Sequence, residues 1–312
     1  MNETLSSPRS LLRREKWDLA QTTVTTYNYH LRHFSSFVGD PEIEDITSDD
    51  IRKYLAHIIT EIGLSRRTAS DHWICLSSIF TWAEETLMVE HPIKNKVKRP
   101  RFQTKRIDVL TEDECRALLR CVGFTKYVRK DGKEITVRRK TASRDKAILL
   151  VLLDVGLRAS ELCNLTIGDW VPGRGRLQVR QGKGRYGGKD RSVFLGNGSK
   201  AALVRYLAER GKAKDSDPLF ASSSNLPMNR NNLRHMICTV ASTAGVRQGS
   251  MGPHLCRHTM AVNFLRNGGN IRTLQELLGH ESLETVTVYL NLAERDIEAA
   301  TEFSPADRMG LR

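Results

Sequence analysis

The sequence predicts a mostly α-helical chain in two domains, a small all-helical one followed by a larger α+β one. Three observations carry this prediction. Apolar residues recur at helical spacing through most of the 312 residues, a length that allows two separate cores. Residues 94–106 hold seven Lys or Arg and no Asp or Glu, together with Pro100, and interrupt that periodicity. Short runs of alternating residues bounded by glycine occur only after this break, at 124–141 and 176–195.

Residues 1–15 lack periodicity and are expected to be a flexible N-terminus. The first helical domain is assigned to 16–92. Its first stripe is Tyr27, Leu31, Phe34 and Val38. Thr47 and Asp50 form a capping box, with Asp in place of the usual Glu, that opens a second helix. That helix carries Ile51, Tyr54, Leu55, Ile58, Ile59 and Ile62 on one face and is expected to end at Gly63. A third helix presents Ala69, His72, Trp73, Leu76, Ile79, Phe80 and Ala83. Trp73 and Trp82 are assigned to packing rather than to stacking on bases. Arg66, Arg67 and Thr68 stand at the start of this helix, where backbone N–H groups and two guanidiniums suit a phosphate; a solvated basic corner is the plainer alternative.

His91-Pro92 stops the helical run. An extended basic linker is expected over 93–108, with Lys94, Lys96, Lys98, Arg99 and Arg101 placed to follow a nucleic-acid backbone. The second domain, 109–312, opens with a capping box at Thr111 and Glu114. Asp131-Gly132 predicts a β-hairpin within 124–141, a segment with no assigned role. Arg144 to Val155 reads as a buried helix broken by Gly156. Arg158 then opens the next helix with Glu161 one turn on. A guanidinium behind an apolar helix needs a partner, and either Glu161 or a phosphate would serve. Strands are expected at Arg176 to Arg180 and Arg191 to Leu195, joined by the glycine-rich QGKGRYGGKD turn that carries Lys183 and Lys189. Helices follow at 199–210, 229–244, 253–266 and 270–278, with Asn229 and Asn270 as N-caps. Arg230 and Arg234 are one turn apart and could reach phosphates. A last amphipathic segment runs from Ala293 to Phe303.

Bulk composition narrows the function classes. The net charge of +13 points to a polyanionic partner, and the excess lies in the basic linker and the second domain. The six cysteines form no C-x-x-C and read as reduced core residues of a cytoplasmic protein. His254, Cys256 and His258 do not converge on one ion from a helix, so no metal site is expected. No cofactor is expected either. No signal peptide is evident. The apolar run Ala147 to Leu157 is too short to span a bilayer and contains Asp154, so no membrane partner is expected.

The densest chemistry lies between Pro253 and Asn291. His254 and Arg257 are three apart, so a helix puts them on one face. Gly279 is placed to end a helix just before His280, and Ser282 could cap the helix that holds Tyr289. Guanidinium grips phosphate oxygens in a fork, imidazole donates hydrogen bonds or moves a proton, and phenol can be a covalent nucleophile. His254-Leu-Cys-Arg257, Leu278-Gly279-His280 and Tyr289, nine residues on, resemble the signature of the tyrosine recombinase (phage integrase) family. The run Gly156-Leu-Arg158-Ala-Ser-Glu161-Leu is similar to the family's first arginine motif, and Gly182-Lys183-Gly184 to its catalytic-lysine hairpin.

The resemblance implies an N-terminal helical core-binding domain and an α+β integrase-type catalytic domain. It implies a site-specific recombinase that cuts and rejoins double-stranded DNA at specific recombination sites through a 3′-phosphotyrosyl intermediate, with no metal or ATP. Tyr289 would be the nucleophile, Arg158, Arg257 and His280 would stabilise the phosphate, and His254 would take the phenol proton. Lys183 would protonate the leaving oxygen, with Lys189 as the other candidate, and Glu161 would support its neighbours. Four copies would assemble on DNA. The expected location is the cytoplasm, on the nucleoid when DNA is bound. A type IB topoisomerase and a non-catalytic basic DNA-binding protein are the alternative readings.

Overall fold

The computed structural model describes residues 21–103, 108–180, 190–222, 225–247, 251–280 and 282–293. The chain forms two units that split near Lys105 and Arg106. The first unit is helical: α1 (Gln21–Val38), α2 (Ser48–Thr60) and α3 (Arg66–Leu87). Thr47 and Asp50 do form the box, the Asp50 amide pointing to the Thr47 hydroxyl and the Thr47 amide to the carboxylate. Ser65 caps α3 through the Thr68 amide. Leu31, Phe34, Ile51, Tyr54, Ile58, Leu76 and Phe80 fill the core.

A polar chain crosses that core. The Tyr54 hydroxyl lies 2.7 Å from His72 Nδ1 and 3.2 Å from His33 Nδ1, and His72 Nε2 is 2.9 Å from His30 Nδ1. His72 is fully buried. Burial, with His30 and His33 beside it, pushes its pKa down to about 3, so it is neutral at pH 7.

Two expectations for this unit change. Ile62 is 43% exposed, because α2 ends at Thr60 and the chain turns away before Gly63. The stretch read as an extended linker begins as a turn: the Lys96 and Val97 amides bond to the Ile93 carbonyl, and Ile93 and Val97 are buried in the first core. Two apolar side chains among the basic residues pull this part of the chain onto the helices. Trp73 is half-buried against the same core and donates its indole N–H to the Val97 carbonyl at 3.1 Å.

The second unit holds α4 (Glu112–Cys121), β1 (Phe124–Val128), β2 (Glu134–Arg138), α5 (Ala142–Val155), α6 (Ala159–Asn164), β3 (Trp170–Val171), β4 (Arg176–Val179), β5 (Arg191–Phe194), α7 (Asn197–Arg210), α8 (Arg230–Ala244), α9 (Pro253–Arg266), α10 (Ile271–Leu278) and α11 (Glu284–Ala293). β1 and β2 form the hairpin expected around Asp131-Gly132, with Gly132 at φ +79°. β3, β4 and β5 form an antiparallel sheet in that order. The two-residue β3 was not foreseen: it is too short to show alternation, and its Trp170 is buried.

α5 is the central helix. Ala147, Ile148, Leu149, Val151 and Leu152 are all fully buried, as the unbroken apolar run 147–153 requires. Asp145 lies at its start, also fully buried, and is held by Thr141, Arg139 and Arg144. Gly156 ends it in the left-handed region at φ +60°, where a Cβ would come within 2.5 Å of Met260 Cε and 3.2 Å of Leu278 Cδ2. This close approach brings the end of α5 against α9 and α10. Among the described residues no helix is long and apolar enough to cross a membrane.

Candidate active site

The site lies within the second unit and is organised by helix ends. The last carbonyls of a helix lack intrahelical donors and carry partial negative charge, so cations settle there. α10 ends at Gly279, in the left-handed region at φ +62°. Three guanidiniums cap this end: Arg191 Nε donates to the Leu277 carbonyl at 2.9 Å, Arg257 NH2 to that of Leu278 at 2.8 Å, and Arg158 NH2 to that of the following Gly279 at 2.9 Å. Arg257 NH1 also donates to the Gly156 carbonyl at 2.7 Å, at the end of α5. Two helix C-termini thus share one buried arginine.

Glu161 is the carboxylate that makes this crowding possible. Arg191 grips it with two bonds of 2.9 and 2.8 Å. Arg158 adds a side-chain bond and a backbone N–H bond, both 2.8 Å, so the Arg158–Glu161 pairing closes the first turn of α6. Burial alone would raise the Glu161 carboxyl. The bonds and charge of Arg191, with the two bonds of Arg158, outweigh it and hold the group below the usual range. Three guanidiniums against one carboxylate leave an excess of positive charge. A phosphate is the dianion or monoanion that such a set can receive.

Arg257 is 4% exposed. Burial, then repulsion from Arg158, lowers its pKa to about 10, so it stays protonated at pH 7. Its NH2 lies 2.7 Å from His280 Nε2. Burial and the charges of Arg257, Arg158 and Arg191 bring His280 down to about 4. His280 is therefore neutral, with Nε2 accepting from Arg257 and the proton on Nδ1 in the tautomer this network selects. It supplies a hydrogen bond rather than a charge. Its backbone is fixed by mutual bonds with Gln275.

Tyr289 sits on α11, 4% exposed, within electrostatic reach of Arg257. Burial raises its phenol and Arg257 partly offsets this, so the hydroxyl is protonated at neutral pH. The imidazole on that hydroxyl is His258, with Nδ1 at 2.8 Å. His254, expected to face the phenol, is exposed on the first turn of α9. Ser282 Oγ accepts the Glu284 amide at 3.1 Å ahead of α11.

The structure thus brings Arg158, Glu161, Arg257 and His280 together, with Tyr289 beside them. Lys183 and Lys189 lie outside the described residues. Arg191 and His258 were missed. The sequence signal for His258 was its place next to Arg257, which was weighed only as part of a metal pattern. Arg191 carried no local signal, since its partner is 30 positions away. Arg66, Arg67, Lys94, Lys96, Lys98, Arg99, Arg101, Arg230 and Arg234 are exposed, and Thr68 is partly so. Lys94 and Lys96 pair with Glu84 and Glu90, and Arg99 bonds to Ser70 Oγ.

Residues 109–295 match the phage integrase family, and residues 10–89 match the phage integrase N-terminal SAM-like domain. The chain is 30% identical to the tyrosine recombinase XerC of Pelobacter propionicus, over 93% of this chain and 92% of that one. It is 28% identical to the tyrosine recombinase XerD of Shewanella oneidensis, over 90% and 89%. Its fold is similar to that of the Tn1549 transposon integrase solved with transposon right end DNA, with a TM-score of 0.74 at 19% identity, covering 99% and 100%. The chain belongs to the phage integrase family and is a tyrosine recombinase, an enzyme of site-specific DNA recombination.

Proposed function

We propose that this recombinase cleaves and rejoins double-stranded DNA with Tyr289 as the nucleophile. The phenol attacks the scissile phosphate and forms a 3′-phosphotyrosyl link, while the 5′-oxygen leaves. Arg158 and Arg257 hold the non-bridging oxygens and His280 adds a neutral hydrogen bond, stabilising charge that grows in the pentavalent transition state. Glu161, itself held by Arg191, keeps Arg158 in place, and the Gly156 and Leu278 carbonyls keep Arg257. Lys183, or Lys189 on the same turn, protonates the leaving oxygen. The bond energy of the phosphodiester is kept in the phosphotyrosyl link, so rejoining is the same reaction reversed. The observation that carries this reading is the set of guanidiniums on the end of α10, in excess over their one carboxylate, with the buried phenol of Tyr289 close enough to feel the charge of Arg257.

The DNA duplex is proposed to follow the exposed basic residues: Arg66, Arg67 and Thr68, then Lys94, Lys96, Lys98, Arg99 and Arg101, and Arg230 with Arg234 on α8. The exposed pairs of Lys94 and Lys96 with glutamates are weak and can be exchanged for phosphates. Residues 16–92 and 109–312 would act as the two DNA-binding parts, with 93–108 between them. Two duplexes require four cuts, which four protomers on DNA would supply, with the segment after Tyr289 passing between neighbours. Beyond Ala293 that segment is outside the described residues.

A nicked suicide substrate tests the proposal, because the cut strand's short fragment escapes and traps the covalent complex. Tyr289→Phe should form none. Arg158→Lys and Arg257→Lys should still shift DNA in a gel but cleave poorly, since lysine lacks the fork. A covalent complex from Tyr289→Phe would place the nucleophile elsewhere.

A further inference from the structure

We infer that His258 is the base that takes the proton from Tyr289, an assignment that rests on Tyr289 being the nucleophile. Three features of the fold lead to it. The Tyr289 hydroxyl lies 2.8 Å from His258 Nδ1, within the distance a direct proton transfer needs. The rings are 5.6 Å apart between centroids and tilted by 46°. His258 and Tyr289 come from α9 and α11, which share one small core of Met260, Ala261, Val262, Leu274, Leu278 and Val286. The pair is therefore fixed by packing, not by a mobile loop.

The other imidazoles of the site are placed differently. His254 is exposed one turn earlier on α9. His280 Nε2 is occupied by Arg257 NH2 at 2.7 Å. His258 is half-buried and flanked by His254 and Arg257 on its own helix, with Tyr289 facing it from α11. Burial, and then these two neighbours, hold its pKa below 6.5, so at pH 7 it is neutral and can accept a proton.

The step balances without a further reactant. The phenolic O–H bond breaks, and its electron pair forms the new bond from Tyr289 Oη to phosphorus. The proton moves to His258 Nδ1 and makes an imidazolium. The 5′-oxygen leaves with the electrons of the broken P–O bond and takes its proton from the lysine of the glycine-rich turn. In rejoining, the 5′-hydroxyl attacks, and His258 returns the proton to the departing phenolate. A base on the nucleophile and an acid on the leaving group are then separate residues, so each can be tested alone.

The test lowers the need for a base instead of only removing it. Single-turnover cleavage of the suicide substrate is measured with tyrosine or 3,5-difluorotyrosine at position 289, the fluorines making the phenol more acidic. His258→Ala with tyrosine should cleave about 100- to 10,000-fold more slowly than the parent. Difluorotyrosine should recover at least about tenfold of that loss while changing the parent much less. His258→Asn keeps a polar group for the phenol but cannot hold the proton; it should be as slow as alanine and should show the same recovery. If His258→Ala fails to shift DNA, the asparagine variant carries the comparison. Near-parental cleavage by His258→Asn would assign a structural role and overturn the inference. So would equal effects of the fluorines in parent and variant, or recovery in His254→Ala alone. Loss of the nucleophile assignment itself reads differently, as covalent complex formed by Tyr289→Phe.

Discussion

Replacing Arg191 by glutamine should damage both the stability of the second unit and the positioning of Arg158. The side chain of Arg191 is 10% exposed and that of Glu161 is 7% exposed, so their two bonds lie almost entirely out of water. Removing one partner of a buried pair costs about 3–5 kcal/mol, because the other is left charged and unpaired. Glu161 keeps both bonds to Arg158, which places the expected cost near the lower end, about 3 kcal/mol. The sign of the pH dependence follows from the carboxyl. Its folded pKa is held below the usual 4.5, so its contribution is present above that value and fades as pH falls through the folded one. Without Arg191 the effect of burial is less opposed, the folded pKa rises, and the loss begins at higher pH. Urea denaturation at several pH values, with Glu161→Gln and the double variant completing a cycle, measures this. Cleavage of the suicide substrate should fall, with its acid limb moved upward, while the DNA gel shift persists. A variant that unfolds within about 1 kcal/mol of the parent and keeps its pH profile would show that Arg191 does not hold Glu161 in place.

Two predictions concern the helix ends and the first core. Gly156→Ala forces a Cβ into a left-handed residue against Met260 and Leu278, and should cost about 1–3 kcal/mol in a thermal or urea melt; it should also slow cleavage, because the Gly156 carbonyl holds Arg257. The buried neutral His72 binds its proton less well folded than unfolded, so stability of the first unit should fall as pH drops below 6.5 and keep falling toward about 3, at up to about 1.4 kcal/mol per pH unit. Denaturation of His72→Phe should show a flatter dependence over that range, and an unchanged slope would remove His72 as its source.

What the sequence made legible was mostly local. The boxes at Thr47–Asp50 and Thr111–Glu114, the caps Asn229 and Asn270, and the glycines that end α5 and α10 each depend on residues within one turn of helix, and each is found in the structure. The proximity of Arg158, Arg257 and His280 was legible only through the family resemblance, since no local rule joins residues so far apart in the chain. Long-range polar partners stayed hidden. Arg191 looked like any strand residue, and His72 looked like one more member of an apolar stripe, although it is the middle of a chain of hydrogen bonds across the core. Ile93 and Val97 were masked by the charge around them. A count of lysines and arginines gives no weight to two buried aliphatic side chains, which decide where the backbone goes.

Besides the Glu161 carboxylate, the partners that fix the three arginines at the end of α10 are main-chain oxygens, and no codon encodes a main-chain oxygen. Side chains at positions 277 and 278 can drift without deleting a single one of these acceptors, provided that the helix still ends where it does. The weak point in heredity is thus displaced from the acceptors to Gly279, which alone sets the terminus in its left-handed conformation. The spacing of the three acceptors is therefore set by the pitch of a helix rather than by the side chains that happen to stand on it.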